Sequence, residues 1–240
     1  MFERNAEFPM AVASDDDDGL NAAIDWCCEH MRDDDILTVW THLRSNLRNS
    51  PQLEHFVASH RNVEHVAGKG GGFVRHTGPV LMAWPGMADI GELFRFGVHH
   101  IRALGVVVSN EDTIRPWVSE VKPTILGDST PWEVQTPEID GIVMEALKSL
   151  TRAMNHNNTI SAGSEKDQVV STLLALHDAG ITMDDEAMEG WALAHGWSGK
   201  NPQQLGKYVR DINQGKRPQC RTNVRPDYVD FLRRRASCRD

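Results

Sequence analysis

The stretches GPVLMAW at residues 78–84 and LGVVVS at residues 104–109 decide the fold of this chain. Each is an apolar run without polar alternation, and each leads into an amphipathic segment. A strand carries such a run when helices cover both faces of its sheet. Residues 78–123 therefore predict two strand-then-helix units in succession, within a parallel sheet of α/β type.

Further strands are predicted on the N-terminal side of these two units, at residues 10–13, 36–40 and 63–66. Helices are predicted between the strands, where Asp, Ser-Pro and Asn provide N-caps at residues 15–18, 50–51 and 110. Alternation at this spacing favours right-handed crossovers. The fold class that follows is α/β, with a Rossmann-like parallel sheet of about five strands.

The second half of the chain has a helical period throughout. Residues 127–136 are rich in Asp, Ser, Thr and Pro, which is typical of a linker. We place the domain boundary there, with a Rossmann-like α/β domain over residues 1–128 and an all-α domain over residues 136–240. Five helices are predicted after the boundary, beginning near Thr136, Ser164, Asp184, Asn201 and Arg225.

Composition places the chain among ordinary globular proteins, with 240 residues of which 40% are hydrophobic and 25% charged. Neither a signal peptide nor an apolar run of ~20 residues is visible, so we expect a cytoplasmic protein without membrane contact. The four cysteines lack metal-site spacing and predict reduced thiols. His99 and His100 are adjacent on a predicted helix and diverge, so no metal site is expected.

Charge is distributed unevenly along the chain. Residues 1–35 contain eleven acids and two bases, whereas residues 200–240 contain eleven bases and four acids. Such blocks are typical of termini that meet partners, but they can also pair with each other across the folded chain. Both interpretations stay open from the sequence.

The loops that follow the predicted strands contain the candidate ligand site. Ligands of open parallel sheets bind outside the carboxyl ends of the strands, and here these loops carry bases, hydroxyls and a glycine run. They predict a site for a nucleotide or phosphate made by His42, Arg44, Arg48, Lys69, Gly70, Ser109 and Asn110. Alternatively, the glycines form an excursion between strands and the bases are surface charge. No dinucleotide fingerprint is present, so the cofactor is unknown.

The helical half contains a segment that resembles a helix-turn-helix around Gly196. Its basic residues are candidates for nucleic-acid contact, namely Lys200, Lys207, Arg210, Lys216 and Arg217. The favoured alternative is a helical bundle with an ordinary core made by Trp191, Leu193, Trp197, Leu205, Val209 and Ile212.

Three short motifs together resemble those of uncharacterised actinobacterial proteins that pair an α/β domain with a helical domain. They are GPVLMAWP at residues 78–85, Asn155-His156, and WALAHGW at residues 191–197 followed by Gly215-Lys216-Arg217. The resemblance implies that both halves belong to one unit, and it implies no activity.

The expected function is binding of a small anionic, nucleotide-like ligand in the α/β crevice, with the helical domain contacting nucleic acid or a protein partner. One alternative is a transferase or hydrolase acting on a phosphorylated or nucleotide substrate. Another is a structural protein that forms oligomers. No catalytic residue is singled out by the sequence.

Overall fold

A computed structural model describes residues 8–69, 74–96, 98–133, 137–154, 158–197 and 199–238. The chain divides into two compact units, residues 5–135 and residues 136–240. The first contains a parallel sheet with helices, and the described part of the second is helical. The predicted α/β class with a helical C-terminal region is confirmed.

The first unit alternates strands and helices along the chain. Its strands are β1 Met10–Ser14, β2 Leu37–Thr41, β3 Val63–Ala67, β4 Gly78–Ala83, β5 Ile101–Val108 and β6 Thr124–Leu126. Its α-helices are α1 Asp17–Glu29, α2 Pro51–Ser59, α3 Met87–Phe96 and α4 Arg115–Val121. Short 3₁₀ helices are Arg44–Asn49, Val98–His100, Glu111–Thr113 and Thr130–Trp132.

The sheet has six strands in the order β3-β2-β4-β5-β1-β6, and every neighbouring pair is parallel. About five strands were expected. The additional strand, β6, is only three residues long, and it pairs with β1 at one edge of the sheet. Such a short segment directly after Pro123 has no periodicity that the sequence could display.

Helices α1 and α2 pack on one face of the sheet and share a single apolar cluster. Leu20 and Ile24 of α1 and Leu53 of α2 are buried in it together with the strand residues Val39 and Leu81. Strand residues of the opposite parity, such as Val80, Met82 and Val106, are buried as well. Both faces of the sheet are therefore covered, as unbroken apolar strands require.

Gly105 lets α1 approach the middle of β5. A Cβ at this position would lie 2.8 Å from Sγ of Cys27 and 3.3 Å from a methyl carbon of Leu81. Cys27 is fully buried there, and burial raises the pKa of its thiol well above the ordinary range. Cys27 is thus a packing residue of the core.

At two places in the sheet, the connections that leave neighbouring strands run in opposite directions. From β2 the chain moves outward to β3, whereas from its neighbour β4 it moves to β5 on the other side. From β5 the chain moves to β6, whereas from its neighbour β1 it crosses back to β2. Crevices open at such switch points, at the carboxyl ends of the strands.

The second unit contains α5 Gly141–Ala153, α6 Gly163–Asp178, α7 Asp185–Ala194, α8 Asn201–Asn213 and α9 Tyr228–Ser237. The bundle core favoured by the sequence is confirmed, because all six residues proposed for it are buried. Gly206, within α8, permits close packing against α7, since a Cβ there would lie 2.8 Å from Oε2 of Glu189.

Predicted helix starts agree with the structure where a side chain forms the cap. Ser50 accepts a hydrogen bond from the amide of Leu53 at 3.1 Å, and Asp184 accepts one from Ala187 at 2.8 Å. Helix α5 begins later than expected, because Asp140 caps it. Thr136, the expected cap, lies outside the described residues.

A buried carboxylate connects the last helix to α5. Oε2 of Glu145 lies 3.0 Å from Nε of Arg235, and Oε1 lies 3.4 Å from Nζ of Lys148. The Glu145 side chain is 1% exposed, and that of Arg235 is 38% exposed. Removal of one partner from a buried ion pair leaves an uncompensated charge, which costs more than the pair contributes.

We expect Arg235→Met to destabilise the protein by about 2 kcal/mol, because water reaches part of the pair and reduces the ~3–5 kcal/mol of a fully buried one. Urea unfolding measures this difference in the free energy of unfolding. Arg234→Met is the matched control, since Arg234 is exposed on the same helix, and its effect should stay within about 0.5 kcal/mol. Equal effects of the two variants would contradict an anchoring role for Arg235.

Candidate functional site at the carboxyl edge of the sheet

A cleft of about 820 Å³ opens at the carboxyl edge of the sheet, at the switch point between β5 and β1. Loops that follow the four strands β1, β2, β4 and β5 contribute to it, together with the first turns of α1 and α2. Its lining is Asp15, Asp17, Leu20, Asn21, Asn46, Asn49, Ser50, Pro51, Gln52, Trp84, Val107 and Ser109. The volume is in the range of small-molecule sites.

The 3₁₀ helix Arg44–Asn49 gives this cleft two of its amide side chains. A 3₁₀ helix has three residues per turn, so side chains at positions i and i+3 lie on the same side. Asn46 and Asn49 therefore share one side and line the cleft, whereas Arg44 and Arg48 line a different pocket. The same short segment therefore places amide groups in the cleft and guanidinium groups in a different pocket.

The cleft lining is acidic and polar. Asp15 and Asp17 contribute two exposed carboxylates, and no Lys or Arg is among the described residues that line the cleft. Their neighbour Asp16 is occupied, because its carboxylate accepts a hydrogen bond from the amide of Gly19 at 2.7 Å as the N-cap of α1. Carboxylate and amide oxygens accept hydrogen bonds from hydroxyl and amine groups.

Trp84 is held in a conformation that few residues adopt. Its φ is 56°, in the left-handed region, and its amide donates to the carbonyl oxygen of Val107 at 2.7 Å. A non-glycine residue in this region costs about 1–2 kcal/mol. The surrounding structure maintains the strain and directs the chain sharply away from β4 beside the cleft.

A histidine and a carboxylate meet at the other switch point, between β2 and β4. Nδ1 of His42 lies 2.8 Å from Oδ1 of Asp89, and the second carboxylate oxygen accepts from the amide of Gly86 at 3.0 Å. The His42 side chain is 53% exposed and that of Asp89 is 19% exposed. Because the carboxylate accepts from Nδ1–H, the lone pair of the neutral ring lies on Nε2.

A second pocket, of about 450 Å³, lies between the 3₁₀ helix, α2 and β3. Its lining is Arg44, Ser45, Leu47, Arg48, Glu54, Val57 and His65. We call it the arginine pocket. It shares no lining residue with the cleft.

The residues predicted to form one anion site are distributed over several places. Arg44 and Arg48 line the arginine pocket, Ser109 lines the cleft, and His42 pairs with Asp89. The Asn110 side chain accepts from the amide of Asp112 at 3.0 Å. The Lys69 amide donates to the carbonyl oxygen of His42 at 2.9 Å, and Gly70 lies outside the described residues. The expected single crevice is thus divided.

Several residues of the two cavities were not found from the sequence. The acids at residues 15–18 were interpreted only as helix caps, although two of them follow β1 and line the cleft. His65 was interpreted only as part of the predicted strand at residues 63–66. Its position opposite the 3₁₀ helix depends on the pairing of β2 with β3, which the sequence does not display. A rule that examined every polar residue after a strand would have identified Asp15, Asn46 and Asn49.

Acids neutralise several basic residues of the helical unit locally. Arg217 makes two hydrogen bonds to Asp178, at 2.8 and 2.7 Å, and this pairing lowers the pKa of the Asp178 carboxyl to about 2. Nζ of Lys216 lies 2.6 Å from Oδ1 of Asp211. Nε of Arg210 donates to Asp185 at 2.8 Å, whereas Lys200 and Lys207 are exposed. Nucleic-acid contact by these five residues stays a prediction.

The comparison with known families gives one match. A family described as Domain of unknown function (DUF1889) matches residues 139–233, which run from just before α5 into α9. No curated protein and no solved structure matches the chain. The resemblance to uncharacterised proteins is supported in this respect, since no family of known function is matched. The actinobacterial origin stays a prediction.

The described residues contain neither a helix that could cross a bilayer nor a cluster of metal-ligating side chains. None of their helices has both the length and the apolar character needed to cross a bilayer. Nowhere in the described ranges do three His, Cys, Asp or Glu side chains come together as a metal ion would require.

The positive φ of Trp84 predicts that a glycine variant at this position unfolds less readily than an alanine variant. Trp84→Gly should be more stable than Trp84→Ala by about 1 kcal/mol, because glycine adopts a positive φ without a Cβ penalty. Trp26, within α1, is the control site, where the Ala variant should be more stable by about 1 kcal/mol. Urea unfolding of the four variants tests both orders. An Ala variant more stable than the Gly variant at residue 84 would contradict the left-handed conformation.

Proposed function

We propose that the α/β unit binds a small hydroxylated molecule, such as a nucleoside or a sugar, in the cleft at the carboxyl edge of its sheet. The observation that carries the proposal is the position of this polar cleft at the switch point between β5 and β1. Neighbouring loops diverge there, so a ligand can contact several chain segments at once.

The lining matches the hydrogen-bonding groups of such a ligand. Asp15 and Asp17 accept from ligand hydroxyls, and the side-chain amide of Asn49 both donates and accepts. The oxygens of Asn21 and Asn46 already accept hydrogen bonds within the protein, so these two side chains offer a ligand their NH₂ groups. Trp84 adds an aromatic side chain that can pack against a base or a sugar face. A few fixed polar groups beside apolar surface are typical of sites that orient a small molecule.

The charge of the cleft favours the uncharged part of a nucleotide over its phosphate. Two carboxylates repel an anion, and no basic side chain of the described lining compensates for them. The anionic group expected from the sequence therefore has better support at the arginine pocket than in the cleft.

Uncharged nucleosides and hexoses should raise the melting temperature, since a ligand that binds only the folded state stabilises it. Asp17→Asn should weaken the binding about tenfold, because a charge-assisted hydrogen bond is replaced by a neutral one. Isothermal titration calorimetry of the ligand found in the thermal panel measures this change.

Asp18→Asn is the matched control. Asp17 and Asp18 lie in the same first turn of α1 and are both exposed, but only Asp17 lines the cleft. The two variants lose the same helix-dipole interaction, so a difference between them reports the cleft alone. Equal affinities of both variants, or the absence of any stabilising nucleoside or sugar, would contradict the proposal.

We propose as a second candidate that the unit hydrolyses a phosphorylated or nucleotide substrate with His42 as general base. The specific observation is the hydrogen bond of His42 to Asp89, which leaves Nε2 to accept a proton from an attacking water. Asp89 orients the imidazole and is itself held by the amide of Gly86.

Release of phosphate from nucleotides and sugar phosphates tests this candidate. His42→Gln should lower the rate about 10²-fold or more, whereas Asp89→Asn should lower it less, because the ring loses orientation but keeps its base. His99→Gln is the control, since His99 is exposed in the 3₁₀ helix Val98–His100, which lines neither cavity. Undiminished turnover by His42→Gln would overturn the candidate.

A further inference from the structure

The arginine pocket brings together the guanidinium groups of Arg44 and Arg48. Arg44 and Arg48 are exposed, and neither forms an ion pair with any residue that the structure describes. The other basic residues discussed above mostly have acidic partners at 2.5–3.0 Å. Two unpaired guanidiniums in one concave surface are the usual recognition element for a phosphate or carboxylate.

Thr41 determines which nitrogen of His65 carries the proton. The Thr41 hydroxyl has one proton, and it donates this proton to the carbonyl oxygen of Leu43 at 2.8 Å. The same oxygen lies 2.8 Å from Nε2 of His65, so it must accept there and Nε2 must be protonated. In the neutral ring Nδ1 is then a hydrogen-bond acceptor, and no described residue donates to it.

The charged groups around His65 keep its ring neutral. Burial lowers the pKa of His65, and the positive charge of Arg44 lowers it further. The charged side chains that line the pocket with His65 are Arg44, Arg48 and, from α2, Glu54. A neutral His65 beside two guanidiniums offers a ligand one acceptor among several donors.

We propose that the arginine pocket binds inorganic phosphate, and that His65 selects it over sulfate. The two guanidiniums hold the anionic oxygens, and Nδ1 of His65 accepts the proton of the P–OH group. This site is separate from the cleft and does not depend on the ligand proposed there.

The selection follows from counting protons on the two anions. Near pH 7 inorganic phosphate carries at least one P–OH group, so it can donate to Nδ1 while it accepts from the guanidiniums. Sulfate has the same shape and the same charge as the phosphate dianion but no proton, so one of its oxygens would face the lone pair of Nδ1. A site with a fixed acceptor rejects the ligand that lacks the matching donor, because the acceptor is left unpaired.

Titration with inorganic phosphate and with sulfate at constant ionic strength, followed by amide chemical shifts in NMR, tests the proposal. We expect phosphate to shift the amides of the 3₁₀ helix and β3, and to bind about tenfold or more tightly than sulfate. Arg44→Gln and Arg48→Gln should each weaken phosphate binding about tenfold. Arg61→Gln, which changes an exposed arginine outside the pocket, should leave it unchanged.

Two further variants test individual roles within the pocket. Glu54→Gln should strengthen phosphate binding, because it removes the one carboxylate of the described lining. Thr41→Val, a change of similar volume, removes the acceptor of Nε2–H, so the ring can protonate on Nδ1 instead. This variant should bind phosphate and sulfate almost equally.

Each of the following results would contradict a stated part of the proposal. No shift with phosphate at high millimolar concentration would overturn the site. Equal weakening by Arg61→Gln and Arg44→Gln would reduce it to a general charge effect and also overturn it. Equal affinity of the wild-type protein for phosphate and sulfate would overturn the role of His65. A melting-temperature response to uncharged nucleosides would bear only on the cleft.

Discussion

Parallel pairing of the six strands is the constraint on which the α/β unit depends. Because every strand runs in the same direction, each connection must return from the carboxyl end of one strand to the amino end of the next. All carboxyl ends therefore lie on the same side of the sheet. Polar loops distant in sequence are thereby brought to the same edge. The close approach of α1 to β5 at Gly105 belongs to the same arrangement, since α1 crosses this part of the sheet on its way from β1 to β2.

The 3₁₀ conformation after β2 determines which side chains of this segment line each cavity. With three residues per turn, it separates Asn46 and Asn49 from Arg44 and Arg48. The amides face a cleft that already contains carboxylates, and the arginines face a pocket with a neutral histidine. Arg44 and Arg48 are four residues apart, which is about 120° around the axis of a 3₁₀ helix, and both line the arginine pocket.

Residues 200–240 show that the number of basic residues in a segment does not by itself give the charge of its surface. The chain carries eleven bases within residues 200–240, but Arg217, Lys216 and Arg210 each pair with an acid that precedes them in the same unit. Arg235 instead neutralises the buried Glu145. Part of the positive charge therefore stabilises the bundle locally, so the electrostatic footprint is smaller than the composition suggests.

The sequence by itself determined the class of fold, the alternation of its elements and the core of the helical unit. These properties are local: apolar runs, helical periods and caps such as Ser50 and Asp184 are visible within a few residues of the chain. Only the tertiary structure decided the strand order, the sixth strand and the composition of the two cavities. Those depend on pairings between distant segments, as when Thr41 of β2 meets His65 of β3 and His42 meets Asp89, and no periodicity along the chain records them.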